Sequence, residues 1–592
     1  MKFGKSSGSS HSSPASGDGG PGLINRAMIH FGMSGSAEVL AAVILFALML
    51  ALKCANVFAY RFDSDETQHL HVIWGWSRGF VQYRDLFDNH MPLFHLFLAP
   101  IFALFGERTS TLFWMRLTMW PEYMLSTWVT YRTASILFSR RVGLWAVILS
   151  GCYSDYFFYS LEFRADNLWA ALWLLAVLTL VSGRMSPRRA LTAGLLLSFC
   201  FGVSIKTSLL LLALLASAAI AIAIALGMPN ATQRRRIIRC AISFFAALPI
   251  VPGIIAIGFA LSGAWAQFRY CVLQHNALAH FYAERSQAWW IFLFLIALPS
   301  LIATAWAINR ITLDRSLGFR RAFFLLICGF YVITLYSLWA IPNRQNFLPF
   351  HPLAFVIYAG AFFALLERLP GDGPRISALV RRLPLPAALA AMELCLILRA
   401  RPLWIDGTRS EIELLRDVLL LTKPTDYVID CKGETVFRQR CVYSVMEKMT
   451  LARIERGLDA DDVAQRCIET RTCLAAMMGR MPSEARRFVH ENYLRVGPEL
   501  RVAGFWLTPK TPQENAITFD VLIAASYELV GRNGQATGFL DGTPYEGARS
   551  LSAGRHTFVR TSVPQRLALL WSPAVARNFS PFQIKKISGS RK

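Results

Sequence analysis

Apolar runs about as long as a bilayer is thick, many closed at one end by arginines, leave this chain few folds to choose from. A helical span needs about 20 predominantly apolar residues. The first such run is 37–59, and others fall near 142–160, 167–183, 188–205, 207–227, 238–262, 288–308, 323–341, 351–367 and 384–402. Between them sit basic clusters: Arg184, Arg188 and Arg189; Arg234, Arg235, Arg236 and Arg239; Arg315, Arg320 and Arg321; Arg375, Arg381 and Arg382. Positive residues gathered in alternate short loops mark the cytoplasmic side of a multi-pass protein. They account for the net charge of +23 without a nucleic-acid partner, since no basic–aromatic recognition module is present. Only 17% of residues are charged, against about 25% in soluble domains.

Residues 1–36 are rich in Ser, Gly and Pro and read as a disordered cytoplasmic tail. The run 37–59 is too long and too far from the start for a cleaved signal peptide. Placing the basic clusters inside puts 60–91, 161–166, 263–287, 342–350 and everything after 402 outside. The chain is thus expected to lie in a bacterial inner membrane, with its N-terminus cytoplasmic and a periplasmic C-terminal region. The stretch 92–138 fits one full span near 112–138 with 92–106 partly inserted, giving eleven spans in a transmembrane domain over 37–402; a second span there would raise the total to thirteen. Beyond it, 403–515 mixes helix and strand signals, as an α/β domain does. Residues 516–592 read as short strands with Asn-Gly and Asp-Gly turns, a β-sandwich-like domain. Of eleven cysteines, Cys431, Cys441, Cys467 and Cys473 fall in this exported part. Two disulfides are expected, with Cys431–Cys441 and Cys467–Cys473 favoured among three pairings; the alternative is four free thiols.

The loop after the first run carries the chemistry: Asp63, Asp65 and Glu66 are three acids within four residues. Crowded carboxylates raise one another's pKa and suit a general base or a divalent cation; equally, acids are at home at a helix N-terminus. On a helix, Asp65 and His69 share a face. A second acidic group, Glu162 and Asp166 around Arg164, opens another apolar run on the same expected side. There Asp166 serves either the cavity or as a helix cap, and Arg164 serves as its neutraliser. Lys206 interrupts an apolar stretch and is either functional or snorkelling. Arg344 is a further outside cation suited to a lipid-linked phosphate. His275 belongs to a polar loop with His280, Glu284 and Arg285 whose spacing is no zinc signature.

Asp65-Glu66, Gly79, Tyr83-Arg84-Asp85 and Asn89-His90-Met91-Pro92-Leu93 resemble the first-loop signature of bacterial GT-C membrane glycosyltransferases. The similar groups are the protein mannosyltransferase, aminoarabinose transferase and rhizobial lipopolysaccharide-core transferase types. Leu161 to Asp166, Lys206 and Arg344 to Pro349 resemble later motifs, and the likeness covers about 37–370. His90 stands where some relatives carry Lys, and Met91-Pro92 where many have Pro-Pro. The resemblance implies inverting transfer of a sugar from a polyprenyl-phosphate donor to a lipid, glycan or protein acceptor. Asp65 would be the base, assisted by Asp166 and supported by Asp63, Glu66 and Glu162. Lys206, Arg344 and Arg164 would meet the phosphate, and His69, Tyr83, Arg84, Asp85, His90 and His275 the acceptor side. No cofactor is required, and a divalent metal at Asp63, Asp65 and Glu66 is compatible with this scheme. The competing class is a non-enzymatic transporter or flippase, whose internal repeats the sequence does not display; a polymer ligase would carry its key loop late in the chain.

Overall fold

The structure is a computed structural model that describes residues 28–33, 35–226, 230–277, 286–339, 341–368, 385–508, 515–532, 534–561 and 566–584. Most of the expected N-terminal tail, Arg375, Arg381 and Arg382, and the loop residues His280, Glu284 and Arg285 lie outside the described residues.

Helices underlie every expected span, and the chain is a membrane protein. Among the described residues, five helices are long and apolar enough to cross a membrane: Ser36–Ala59, Thr207–Ala225, Ala231–Leu261, Gln287–Ile311 and Arg315–Leu338. Others, such as Ala165–Val181, are apolar but shorter. Their outer faces leave Ile254, Ile257, Leu261 and Leu295 exposed, as lipid-facing positions should be. Within 92–138 the chain makes a ten-residue helix, Leu93–Phe102, then Thr111–Leu117 and Trp120–Leu137. The short one buries Phe94, His95 and Leu98 and exposes Leu96 and Phe97, which fits partial insertion. Pro249 separates Ala231–Ala247 from Ile250–Leu261, because a proline cannot supply the hydrogen bond that would continue the ladder.

The bundle has two unlike ends. At one, Arg141 pairs with Glu38 at 2.8 Å, Arg236 donates to the Met185 carbonyl at 3.0 Å and Arg321 to the Leu137 carbonyl at 2.7 Å, so the arginine-rich loops assemble there. At the other end lie both acid loops. Asp63 caps the helix Ser64–Ser77, and Glu66 reaches back to the Asp63 amide at 2.8 Å, a capping box. Asp166 sits in the first turn of Ala165–Val181, but the N-cap is Arg164, so Asp166 is not a cap.

The C-terminal region is built differently from expectation. One mixed sheet runs 549–551, 525–531, 567–571, 500–507, 474–476, 427–429, 439–440, with 493–495 and 534–535 added alongside. It takes strands from both sides of residue 515, and one apolar core spans both parts. Residues 403–515 and 516–592 are therefore not separate domains. A second sheet, of 543–544, 538–540, 554–560 and 516–521, completes the strand-rich part. The sequence missed this because its turns are local, whereas sheet partnership between 500–507 and 567–571 is not written in either strand.

Three short strands, 427–429, 439–440 and 474–476, pair in parallel. The loops leaving their carboxyl ends point at the membrane bundle, the end of a parallel sheet where ligands commonly bind. The first of these, 430–437, plugs into it. Val436 and Phe437 are fully buried in the core of the helical bundle, the His71 Nδ1 lies 2.7 Å from the Val436 carbonyl, and Gly433 has φ +92°. A β-carbon there would approach His71 Cβ to 2.9 Å, so glycine is required both by conformation and by space.

Candidate active site

Arg164 is the hub that draws the two acid loops together. Its guanidinium meets Asp63 at 3.1 Å, Asp65 at shorter range and Asp166 at 3.4 Å. Lys206, at the break between Pro187–Val203 and Thr207–Leu226, pairs with Asp166 and donates to Asn346 Oδ1 at 3.1 Å. Lys432, from the plug loop, holds the other oxygen of Asp65. Burial alone would push the Asp65 carboxyl up, but Arg164 and Lys432 hold it well below the ordinary 3.8.

These groups line a cavity of about 380 Å³ at the junction of bundle and C-terminal domain. Its charged lining residues are Asp65, Asp166 and Glu447 against Arg164, Lys206, Lys432, Lys448 and Arg480, five cations to three acids. Met91, Ile205, Trp339, Ile341 and Met449 supply apolar wall. Such a site suits an anion carrying an apolar chain.

Several residues singled out from sequence are elsewhere. Glu66 is a strut: it takes two hydrogen bonds from Arg116, at 2.6 and 2.5 Å, and one from the Phe163 amide at 2.9 Å, tying one acid loop to the other. Glu162 is buried off the cavity, both carboxylate oxygens lack a hydrogen-bond partner among the described residues, and burial pushes its carboxyl well above 4.5. Arg344 is exposed and pairs with Asp155 at 3.2 Å, outside the cavity. Arg84 and Asp85 pair with each other at 2.9 Å. Tyr83 is buried, with its hydroxyl donating to the His90 carbonyl at 2.6 Å. His69 is buried against His95 at 2.8 Å and does not reach the cavity despite sharing a helix with Asp65. His275 stands behind Glu447 at 3.3 Å. Asp63 and Asp65 share Arg164 while Glu66 turns away to Arg116, and among the described residues no group of three acids, histidines or cysteines is arranged to hold a metal ion.

His90 does line the cavity. Its Nδ1 lies 2.8 Å from Asp88 Oδ1, and Asp88 is fixed by Gln82 at 2.7 Å. Burial pulls this imidazole down, but the Asp88 carboxylate, aided by Asp65 and opposed by Lys432, holds it above 6.5. A group raised on folding stabilises fully below its unfolded pKa and stops doing so as pH rises through the folded one. The melting-temperature gap between wild type and Asp88→Asn should therefore narrow as pH rises from below 6.5 through the raised pKa of His90; a gap independent of pH would show that His90 is not the titrating partner.

Lys432, Lys448, Arg480 and Glu447 escaped the sequence reading. They follow the three parallel strands, and the only available signal was the polar Asp430-Cys431-Lys432-Gly433-Glu434 after a strand-like run. No disulfide joins the four cysteines of this region in the structure. Cys441 Sγ lies 3.6 Å from Cys467 Sγ, while Cys431 donates to the Met477 carbonyl at 2.7 Å.

The helical bundle with its strand-rich C-terminal domain shares its fold with solved GT-C membrane glycosyltransferases. One protein it is similar to is ArnT from Cupriavidus metallidurans, whose apo crystal structure superposes with TM-score 0.52 at 12% identity, covering 78% of this chain and 97% of that one. A second ArnT structure, bound to undecaprenyl phosphate, gives TM-score 0.52 at 13% identity over the same shares. The apo Archaeoglobus fulgidus oligosaccharyltransferase gives 0.48 at 13% identity, covering 79% and 74%. No protein-family model and no curated protein matches the sequence.

Proposed function

We propose that this protein is an inverting glycosyltransferase that moves a sugar from a polyprenyl-phosphate carrier to an acceptor hydroxyl at the periplasmic face of a bacterial inner membrane. The acceptor is a lipid, glycan or protein of the cell envelope. The observation that carries this reading is the cavity at the bundle's end where Asp65 and Asp166 meet a surplus of cations beside apolar wall. The arginine-rich loops assemble at the opposite end, and arginines mark the cytoplasmic side; this supports a periplasmic cavity and C-terminal domain. ArnT, which shares the fold, has been crystallised with undecaprenyl phosphate.

In the reaction the acceptor oxygen attacks the anomeric carbon from the face opposite the phosphate. The bond from that carbon to the phosphate oxygen breaks, and its electron pair stays on the phosphate. The acceptor proton passes to Asp65. The lipid phosphate goes from one negative charge to two, so cations fixed beside it bind the transition state more tightly than the ground state. Lys206 is placed for this beside Asp166, which orients the acceptor. The chain's own cations meet the leaving phosphate, so the scheme requires no metal.

Deleting the gene and comparing envelope glycolipids and glycoproteins by mass spectrometry is the test. One product class should lose a single sugar mass, restored by the wild-type gene. Identical masses with and without the gene would sink the reading.

A further inference from the structure

Both oxygens of Asp65 are occupied by cations, Oδ2 by Arg164 and Oδ1 by Lys432. A carboxylate with a cation on each oxygen is held in its ionised form, and it is a poor base. One cation must leave before a proton can be taken. Arg164 is held by three carboxylates and is nearly fully buried. Lys432 has Asp65 as its one ion pair among the described residues, and an amine on a four-carbon stem swings more freely than a planar guanidinium held at several points.

The backbone beneath Lys432 is fixed, so only its side chain has freedom. Asp430 accepts from the Gly433 amide at 2.8 Å, the Thr435 amide at 2.9 Å and Arg440 at 2.7 Å. The Lys432 amide is itself held by Glu434 at 2.6 Å. On the same wall of the cavity, and among the described residues, the Lys448 side chain has no ion pair or hydrogen bond, and the Arg480 guanidinium donates only to Ser64 Oγ, at 3.2 Å. An anion entering the cavity therefore meets cations from the C-terminal domain on one side and Lys206 on the other.

Resting on the donor reading above, we propose that Lys432 is a phosphate ligand that leaves Asp65 when the polyprenyl-phosphate donor binds. One salt bridge is exchanged for another and no covalent bond changes. Donor arrival thus frees Asp65 Oδ1, and the acceptor proton is later received there. The base is unmasked only when there is a sugar to transfer, so water and stray hydroxyls are not activated in the empty site.

The test is undecaprenyl phosphate binding, measured in nanodiscs on the full-length chain and on Lys432→Met, Asp65→Asn and the double variant. Lys432→Met should weaken binding by about tenfold, the scale of one charge-assisted contact. Asp65→Asn should tighten it by about three- to tenfold, because Lys432 no longer has to be drawn off a carboxylate. That gain should vanish in the double variant, which a merely structural Lys432 would not produce. If Lys432→Met does not fold, Lys432→Gln replaces it in both arms. Wild-type binding with an unaffected lysine variant, or an Asp65→Asn gain that survives loss of the lysine, would overturn this exchange and leave the donor reading intact. Absence of binding by the wild type would overturn both.

Discussion

Asp65→Asn is expected to slow sugar transfer by about 10²- to 10⁴-fold, the range for losing a positioned general base, with the protein still folded. Asparagine fills the same space but cannot take up the acceptor proton. Arg164 keeps Asp63 at 3.1 Å and Asp166 at 3.4 Å, so the hub that joins the two loops survives. Single-turnover transfer with donor already bound, alongside thermal unfolding, separates the two effects. Transfer within about a factor of three of wild type would be too small for a lost base and would remove Asp65 from that role.

Arg116→Met should act in the opposite way, through the fold. Arg116 is almost fully buried and donates to Glu66 as well as to the carbonyls of Val57, Tyr60 and Arg61, at 3.1, 2.6 and 2.6 Å. Removing one partner of a buried pair leaves the other charge stranded, at a cost of about 3–5 kcal/mol. Glu66 also holds the Phe163 amide, so the strain reaches the second acid loop. The variant should melt far below wild type in lipid nanodiscs. Adding Glu66→Leu should recover part of the loss, since it removes the stranded carboxylate. A small change in the single variant, under about 1 kcal/mol, would mean the pair is worth no more than an exposed one.

How far the sequence carries can be read from individual residues. Apolar length is a local property, and the helices follow it, down to the short Leu93–Phe102. Asp65 and Asp166 were visible because acids beside apolar runs are rare, and the structure brings both onto Arg164. Glu66 carried the same signal, but which oxygen meets Arg116 depends on packing fifty residues away. Arg344 looked like a phosphate ligand by charge and neighbourhood; the short 3₁₀ turn that carries it, Arg344–Phe347, puts Asn346 in the cavity and the arginine outside. Lys432 had no apolar frame around it to make it conspicuous. Its place follows from parallel pairing of 427–429 with 474–476, a contact between segments no local pattern links. For the same reason the expected boundary at 515 dissolves into one sheet.

The plug formed by Val436 and Phe437 has a consequence for biogenesis. During synthesis the last bundle helix, Leu385–Ala400, is made before residue 430, so a newly inserted bundle has a gap where the plug belongs and an incomplete cationic wall. On the proposed function, sugar transfer then becomes a late property of the chain, gained when its last-made half folds and docks. Truncation before the plug should yield a protein that inserts but lacks the proposed transfer activity.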